Sequence, residues 1–204
     1  MDAYLQASEI IDWRDRRILD LAERLAAGYD TVEAIAQSCF EWVRDNIYHS
    51  CDYRMNPVTC RASDVLDRKT GYCYAKSHLL AALLRANDIP TGFCYQRLSV
   101  DDKGAPYCLH GLNAVYLPDM GWYRIDARGN KAGVDARFTP PHEQLAYPIR
   151  LPEEGDCPIV FAEPLPIVVE ALQHYETWDE MHHNLPDTLE LPWTQNIDAL
   201  VARG

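Results

Sequence analysis

The chain has 204 residues, 48% hydrophobic and 25% charged, which suits one domain with a core of its own and excludes wholesale disorder. Its net charge of −12 is uneven: residues 139–204 hold 12 acidic against 2 basic side chains, and residues 1–138 hold 19 against 17. Neither part has the basic stripe that a phosphate backbone needs, so no nucleic acid partner is expected. No apolar run approaches membrane-spanning length, and MDAYLQASEIIDWRDRR lacks the apolar core of a secretory signal. The expectation is a cytoplasmic protein with no membrane partner. Seven cysteines (39, 51, 60, 73, 94, 108 and 157), an odd number with no CxxC pair, read as buried thiols rather than a disulfide framework or a structural zinc site.

In chain order, Ile10 to Ala27 has the spacing of a surface helix, with Ile11, Ile18, Leu21, Ala22 and Leu25 on one stripe. Asp30 and Glu33 look like a capping pair for a second helix, where Val32, Ile35, Ala36, Cys39, Phe40, Val43 and Ile47 form a wide apolar face. The polar loop HSCDYRMNPVTC follows, and Ser63 is expected to cap a short turn. Cys73 to Ala86 reads as a helix dense in Ala and Leu, ended by NDIP because Pro90 cannot continue it. The period then changes to two: TGFCYQRLSV, LHGLNAVYL and WYRIDAR read as three strands of an antiparallel meander. Helices followed by such a meander indicate α+β, with the sheet packed on the Cys73 helix. From Thr139 the chain is rich in proline and acid, with one helix expected from Pro166 through VVEALQHYETWDEM.

Three positions carry candidate chemistry. Cys73 opens a helix, where the positive end of the peptide dipoles and unpaired amides favour a thiolate. His110 on the second strand can take the thiol proton, and Asp126 at the end of the third can hold that imidazole in the right tautomer. The amide of Cys73 is available to a developing oxyanion. His110 and Asp126 share a face only if Tyr116, not Leu117, opposes Trp122, which puts Asp126 across from Leu112. Lys76, one turn along, reads as a solvated helix charge or as an electrostatic aid to Cys73. His174, Glu176, Asp179, His182 and His183 do not converge by spacing on a tetrahedral set, so no metal is expected. The acidic tail reads as solvated surface, with cover over the cleft as the alternative.

These blocks resemble the transglutaminase-like superfamily in its bacterial-type form: CFEWVRDNIYHS, ASDVLDRKTGYC opening the helix, RANDIP ending it, then HGLNAVYL and GWYRIDARGN. The resemblance covers about residues 35–131. It implies a papain-like arrangement, with a nucleophile helix on an antiparallel sheet that presents histidine and aspartate. It implies acyl transfer through a thioester, with Cys73 as nucleophile, His110 as general base and acid, and Asp126 as orienter. The implied substrate is a peptide, protein or small-molecule amide, and the chemistry requires neither metal nor organic cofactor. Residues 1–138 would form the catalytic core, and residues 139–204 an extension packed on it. Two positions depart from the family pattern, Leu112 and Ala114, where an aromatic and an acid are usual; both changes are expected to touch the floor of the site. By analogy with the family's preceding helix, Trp42 is a candidate oxyanion donor, with core packing the favoured role. The rival functions are a non-catalytic interaction module that keeps the fold, and a redox-sensing thiol with Cys94 or Cys108 as resolving partner.

Overall fold

The computed structural model describes residues 1–197 and 200–203. After a 3-10 turn (Asp2–Leu5), helix α1 runs only from Arg16 to Ala26, capped by Asp15, whose carboxylate accepts from the Arg17 amide at 2.9 Å. The periodicity that predicts a helix from Ile10 is misleading, because Ile10 and Ile11 are buried by an irregular entry segment ahead of the helix. Thr31, not Asp30, caps α2 (Val32–Asn46): its hydroxyl oxygen accepts from the Ala34 amide at 3.2 Å. A two-residue strand β1 (Tyr48–His49) and a single helical turn α3 (Ser50–Tyr53) occupy what reads as a polar loop. Ser63 lies inside α4 (Ala62–Arg68) rather than capping it, and its hydroxyl donates to Asp12 at 2.6 Å.

Strand β2 (Thr70–Gly71) pairs in parallel with β1, so that His49 lies beside Gly71, two residues before Cys73. Helix α5 then spans Cys73–Ala86, the range that the sequence predicts, and every residue through Arg85 is buried. An α-helix buried all round cannot be a surface helix. It is the centre of the molecule, packed on by α1, α2, α4 and the sheet.

Strands β3 (Thr91–Ser99), β4 (Tyr107–Leu117) and β5 (Gly121–Ile125) form the antiparallel meander. Tyr116 pairs with Trp122, the register that the His110–Asp126 requirement demands. Gly121, at φ +82°, supplies the left-handed residue that returns the chain after a three-residue turn at 118–120. The final ladder pair is Asn113 with Ile125, leaving Asp126 one residue beyond the strand. The later chain adds to this sheet: β6 (Gly155–Asp156) and β7 (Ile159–Phe161) pair with β3, and β8 (Val201–Arg203) pairs with β7. The predicted single tail helix is two, α6 (Pro166–His174) and α7 (Trp178–His183). A capping box of Thr177 and Glu180 starts α7 afresh, and its amide bonds compete with continuation of α6.

One sheet face and the helices share the main core. On the other face Leu112 and Ala114 join Cys94, Val160 and Tyr4 in a smaller apolar cluster.

Candidate active site

The site forms where the start of α5 meets the sheet. Leu79, Leu80, Leu83 and Leu84 are fully buried and fix the helix in the core, which fixes its first turn. Gly111 lets β4 lie against that turn: a Cβ there would stand 2.8 Å from the Tyr74 ring and 3.3 Å from the Tyr74 Cα. The Tyr74 hydroxyl also donates to the Leu109 carbonyl, tying helix and strand on either side of His110.

His110 Nε2 bonds Asp126 Oδ2 at 2.7 Å. Cys73 lines the same cavity as His110 and acts on the same imidazole, favouring its charged form. Cys73 is 7% exposed, His110 4% and Asp126 1%. Asp126 is held independently of the histidine, accepting from the Arg128 amide at 3.1 Å and from the Ala146 amide at 3.0 Å. Burial opposes charge on both groups. At His110 the penalty is outweighed by the Asp126 carboxylate and by Cys73, so its imidazolium is held up to about 10. At Asp126 burial is likewise overcome, by the charge and hydrogen bond of His110 and by the two amides, and its carboxyl stays below the usual range. Tyr147 packs edge-on against the His110 ring, 5.0 Å between centroids, and shields it from water.

Cys73 and His110 open on a cavity of about 390 Å³. His49, Asp52, Arg128 and Lys131 line one part of it, and Leu98, Cys108, Pro148 and Glu154 another. Residues 139–204 therefore supply part of the wall, where the sequence favours a merely solvated surface. Asp52 accepts from both nitrogens of the Arg128 fork, at 2.5 and 3.0 Å, and from Lys131 at 2.7 Å. Sequence reasoning misses all four residues of the first group. Only Arg128, two positions past Asp126, carries a hint of its place.

Two expectations need correction, at Lys76 and at Leu112 with Ala114, while Trp42 keeps the packing role favoured for it. Lys76 is not a solvated charge: it is fully buried, and its ammonium donates to the carbonyls of Arg44 and Ile47 at the end of α2. Burial, with the Arg128 charge added, pushes that ammonium down to about 7. Trp42 does not line the cavity. It packs on the core and carries the Lys69 ammonium 4.7 Å from its ring centroid. Leu112 and Ala114 line no part of the cavity either: farther along β4 than His110, they are buried in the smaller cluster. No group of three or more His, Cys, Asp or Glu among the described residues is placed to hold a metal ion. His182 instead contacts Cys51 at 3.5 Å.

A model of the transglutaminase-like superfamily matches residues 19–127, more than half of the chain. The chain belongs to that superfamily. No curated protein matches it. Among solved structures, a candidate cysteine protease from Cytophaga hutchinsonii is similar at 21% identity and TM-score 0.50, over 61% of this chain and 40% of that one. The periplasmic domain of TgpA from Pseudomonas aeruginosa aligns at 19% identity and TM-score 0.45, over 61% of this chain and 45% of that one. The chain thus spans less than half the length of these structures. The first likeness agrees with the architecture, an α+β fold of papain and transglutaminase type. No helix among the described residues is long and apolar enough to cross a membrane.

Proposed function

We propose that the chain is a cysteine-dependent acyltransferase or amide hydrolase that works through a thioester. Cys73 attacks a carboxamide or peptide carbonyl, forming the S–C bond, while His110 gives a proton to the departing amine as the C–N bond breaks. Water or an amine then attacks the thioester, His110 takes its proton, and Cys73 leaves as thiolate. Asp126 holds the imidazole by Nε2, which leaves Nδ1 for the proton of the thiol. The Cys73 amide, an unpaired donor at the start of α5, faces the developing oxyanion. Hydrolysis is the favoured outcome, because water is always present and no dedicated amine channel is marked.

One observation carries this reading: a buried imidazole bonded to Asp126 through Nε2, with the Cys73 thiol on the same cavity and acting on the ring's charge. A non-catalytic module has no need of that arrangement. The redox reading draws on Cys108, which lines the same cavity, and an oxidant-dependent loss of 2 Da linking Cys73 to Cys108 would favour it. We further read residues 139–204 as part of one folding unit with residues 1–138, since β6 and β7 complete the sheet beside β3. The described cysteines are free thiols, which suits the reducing cytoplasm as the working compartment.

Iodoacetamide labelling at pH 7, followed by peptide mapping, tests the core of the proposal. Cys73 should label faster than any other cysteine, and His110→Ala should slow it by tenfold or more, as expected for loss of the base that carries the thiol proton. Labelling at an ordinary thiol rate, indifferent to His110, sinks the enzyme reading.

A further inference from the structure

We propose that the cavity wall built by Arg128 and Lys131 on Asp52 is a carboxylate subsite, so that the acyl donor carries an anionic group close to the reacting carbonyl. The inference rests on the acyl-transfer reading for the carbonyl and on separate observations for the anion.

Two cations share one carboxylate here. Arg128 lies within the wall, its side chain 6% exposed, with its fork clamped on Asp52 and one of its nitrogens also on the Gly129 carbonyl. Lys131 is 46% exposed and spends one donor on the same Asp52. An ammonium has three donors, so two remain for a ligand. Asp52 is firmly ionised: burial opposes its charge, but the hydrogen bonds from Arg128 and Lys131 hold its carboxyl well below the usual range. The group therefore keeps one net positive charge on the cavity wall, in a protein whose overall charge is −12.

His49 adds a second, independent observation. It is 8% exposed and lines the same wall, yet its Nδ1 has no hydrogen-bond partner among the described residues. Asp52 Oδ2 stands 3.7 Å away, beyond hydrogen-bond distance. Burial and the Arg128 charge keep the ring neutral, well below the usual histidine range. A buried polar nitrogen left without a partner marks a place where a further polar group belongs.

The other charged part of the cavity offers no equal. Arg150 is paired with Asp102 at 2.8 Å, and the Glu154 carboxylate accepts from the amides of Ser99, Arg150 and Leu151. No spare positive charge remains there. The contrast gives an anionic acyl donor one orientation in the cavity, with its carboxylate toward Arg128 and Lys131.

Two alkylating agents of similar size, one neutral and one anionic, test this on the full chain. Iodoacetamide is neutral and iodoacetate is an anion; both transfer a carbon to the thiolate and release iodide. Their rates at Cys73, read by peptide mapping and each divided by its rate with the unfolded chain, give a charge preference. The wild type should favour iodoacetate. The His110 imidazolium contributes to that preference, so the decisive variant is Lys131→Glu, at a half-exposed side chain where folding is not at stake. It should lower the normalised iodoacetate-to-iodoacetamide ratio by about tenfold, the size expected of a charge reversal near a partly shielded site. The ratio cancels any change that the reversal makes to the thiolate itself, since both reagents meet the same sulfur. Arg16→Glu, an equal reversal on α1, which lines no part of the cavity, should leave the ratio as it was. Asp52→Asn, which frees both cations, should raise the ratio. A ratio that Lys131→Glu leaves unchanged, whether both rates stay or shift alike, overturns the subsite. The acyl-transfer reading fails by a different sign, an iodoacetamide rate no faster than that of an ordinary thiol, and the ratio can still be measured in that case.

Discussion

His78, in the middle of α5, and His110, at its mouth, are both almost fully buried, and the protein drives them in opposite directions. His78 Nδ1 bonds the Cys60 carbonyl at 2.7 Å, its other nitrogen has no partner among the described residues, and its ring packs edge-on to Phe93. Burial pushes it down to about 4, so it is a neutral core residue. His110 suffers the same penalty but faces Asp126 and Cys73, and is held up to about 10. Burial alone therefore does not mark a functional histidine. What separates the two is a carboxylate that two backbone amides hold in place beside the imidazole.

Breaking the contrast at its source should have the largest effect. Asp126→Asn keeps the shape but removes the charge and favours the wrong tautomer. It should cut the rate of Cys73 acylation by p-nitrophenyl acetate about 10²–10⁴-fold, read by intact mass. His78→Phe should leave that rate unchanged. Gly111→Ala should come next. Its Cβ presses on Tyr74, moving β4 and α5 apart, so it should slow acylation about tenfold or more and cost about 1–3 kcal/mol in urea unfolding.

The two histidines should also leave opposite signatures in stability against pH. An unfolded histidine titrates near 6.5. The raised His110 contributes stability that is full below about pH 6.5 and is lost as pH rises through about 10. The lowered His78 contributes stability that is full above about pH 6.5 and is lost as pH falls through about 4. Urea titrations across pH should show the alkaline loss flattened in Asp126→Asn and the acid loss reduced in His78→Phe. The smallest effect belongs to Trp42→Phe, which should leave acylation unchanged because the ring supports Lys69 and not the site.

Much of this contrast is legible in the sequence, for local reasons. The bounds of α5 follow from GYC and NDIP, and the change of period marks β3 and β4 as strands, although both of their faces are buried. The hairpin register follows once His110 and Asp126 are required to meet. Other features are decided at long range. Lys76 reads as solvated because its partners, the carbonyls of Arg44 and Ile47, belong to another helix end. Asp30 and Thr31 are both competent caps, and only the chain's approach direction selects Thr31. Ile11 satisfies a helical stripe yet is buried without a helix. Asp52 and Lys131 meet across most of the catalytic segment, with no spacing rule to connect them. His49 is beside the nucleophile only because β1 pairs with β2.

The central claim is that Cys73 forms an acyl-enzyme with His110 as its base, and trapping that species tests it most directly. The chain is exposed briefly to p-nitrophenyl acetate at pH 7, quenched in acid and mapped by peptide mass. The account predicts an acetyl group on Cys73 that disappears on further incubation at pH 7, and no acetyl there in His110→Ala over the same interval. Acetylation spread evenly over exposed lysines and thiols, with Cys73 no different in the two proteins, would contradict it.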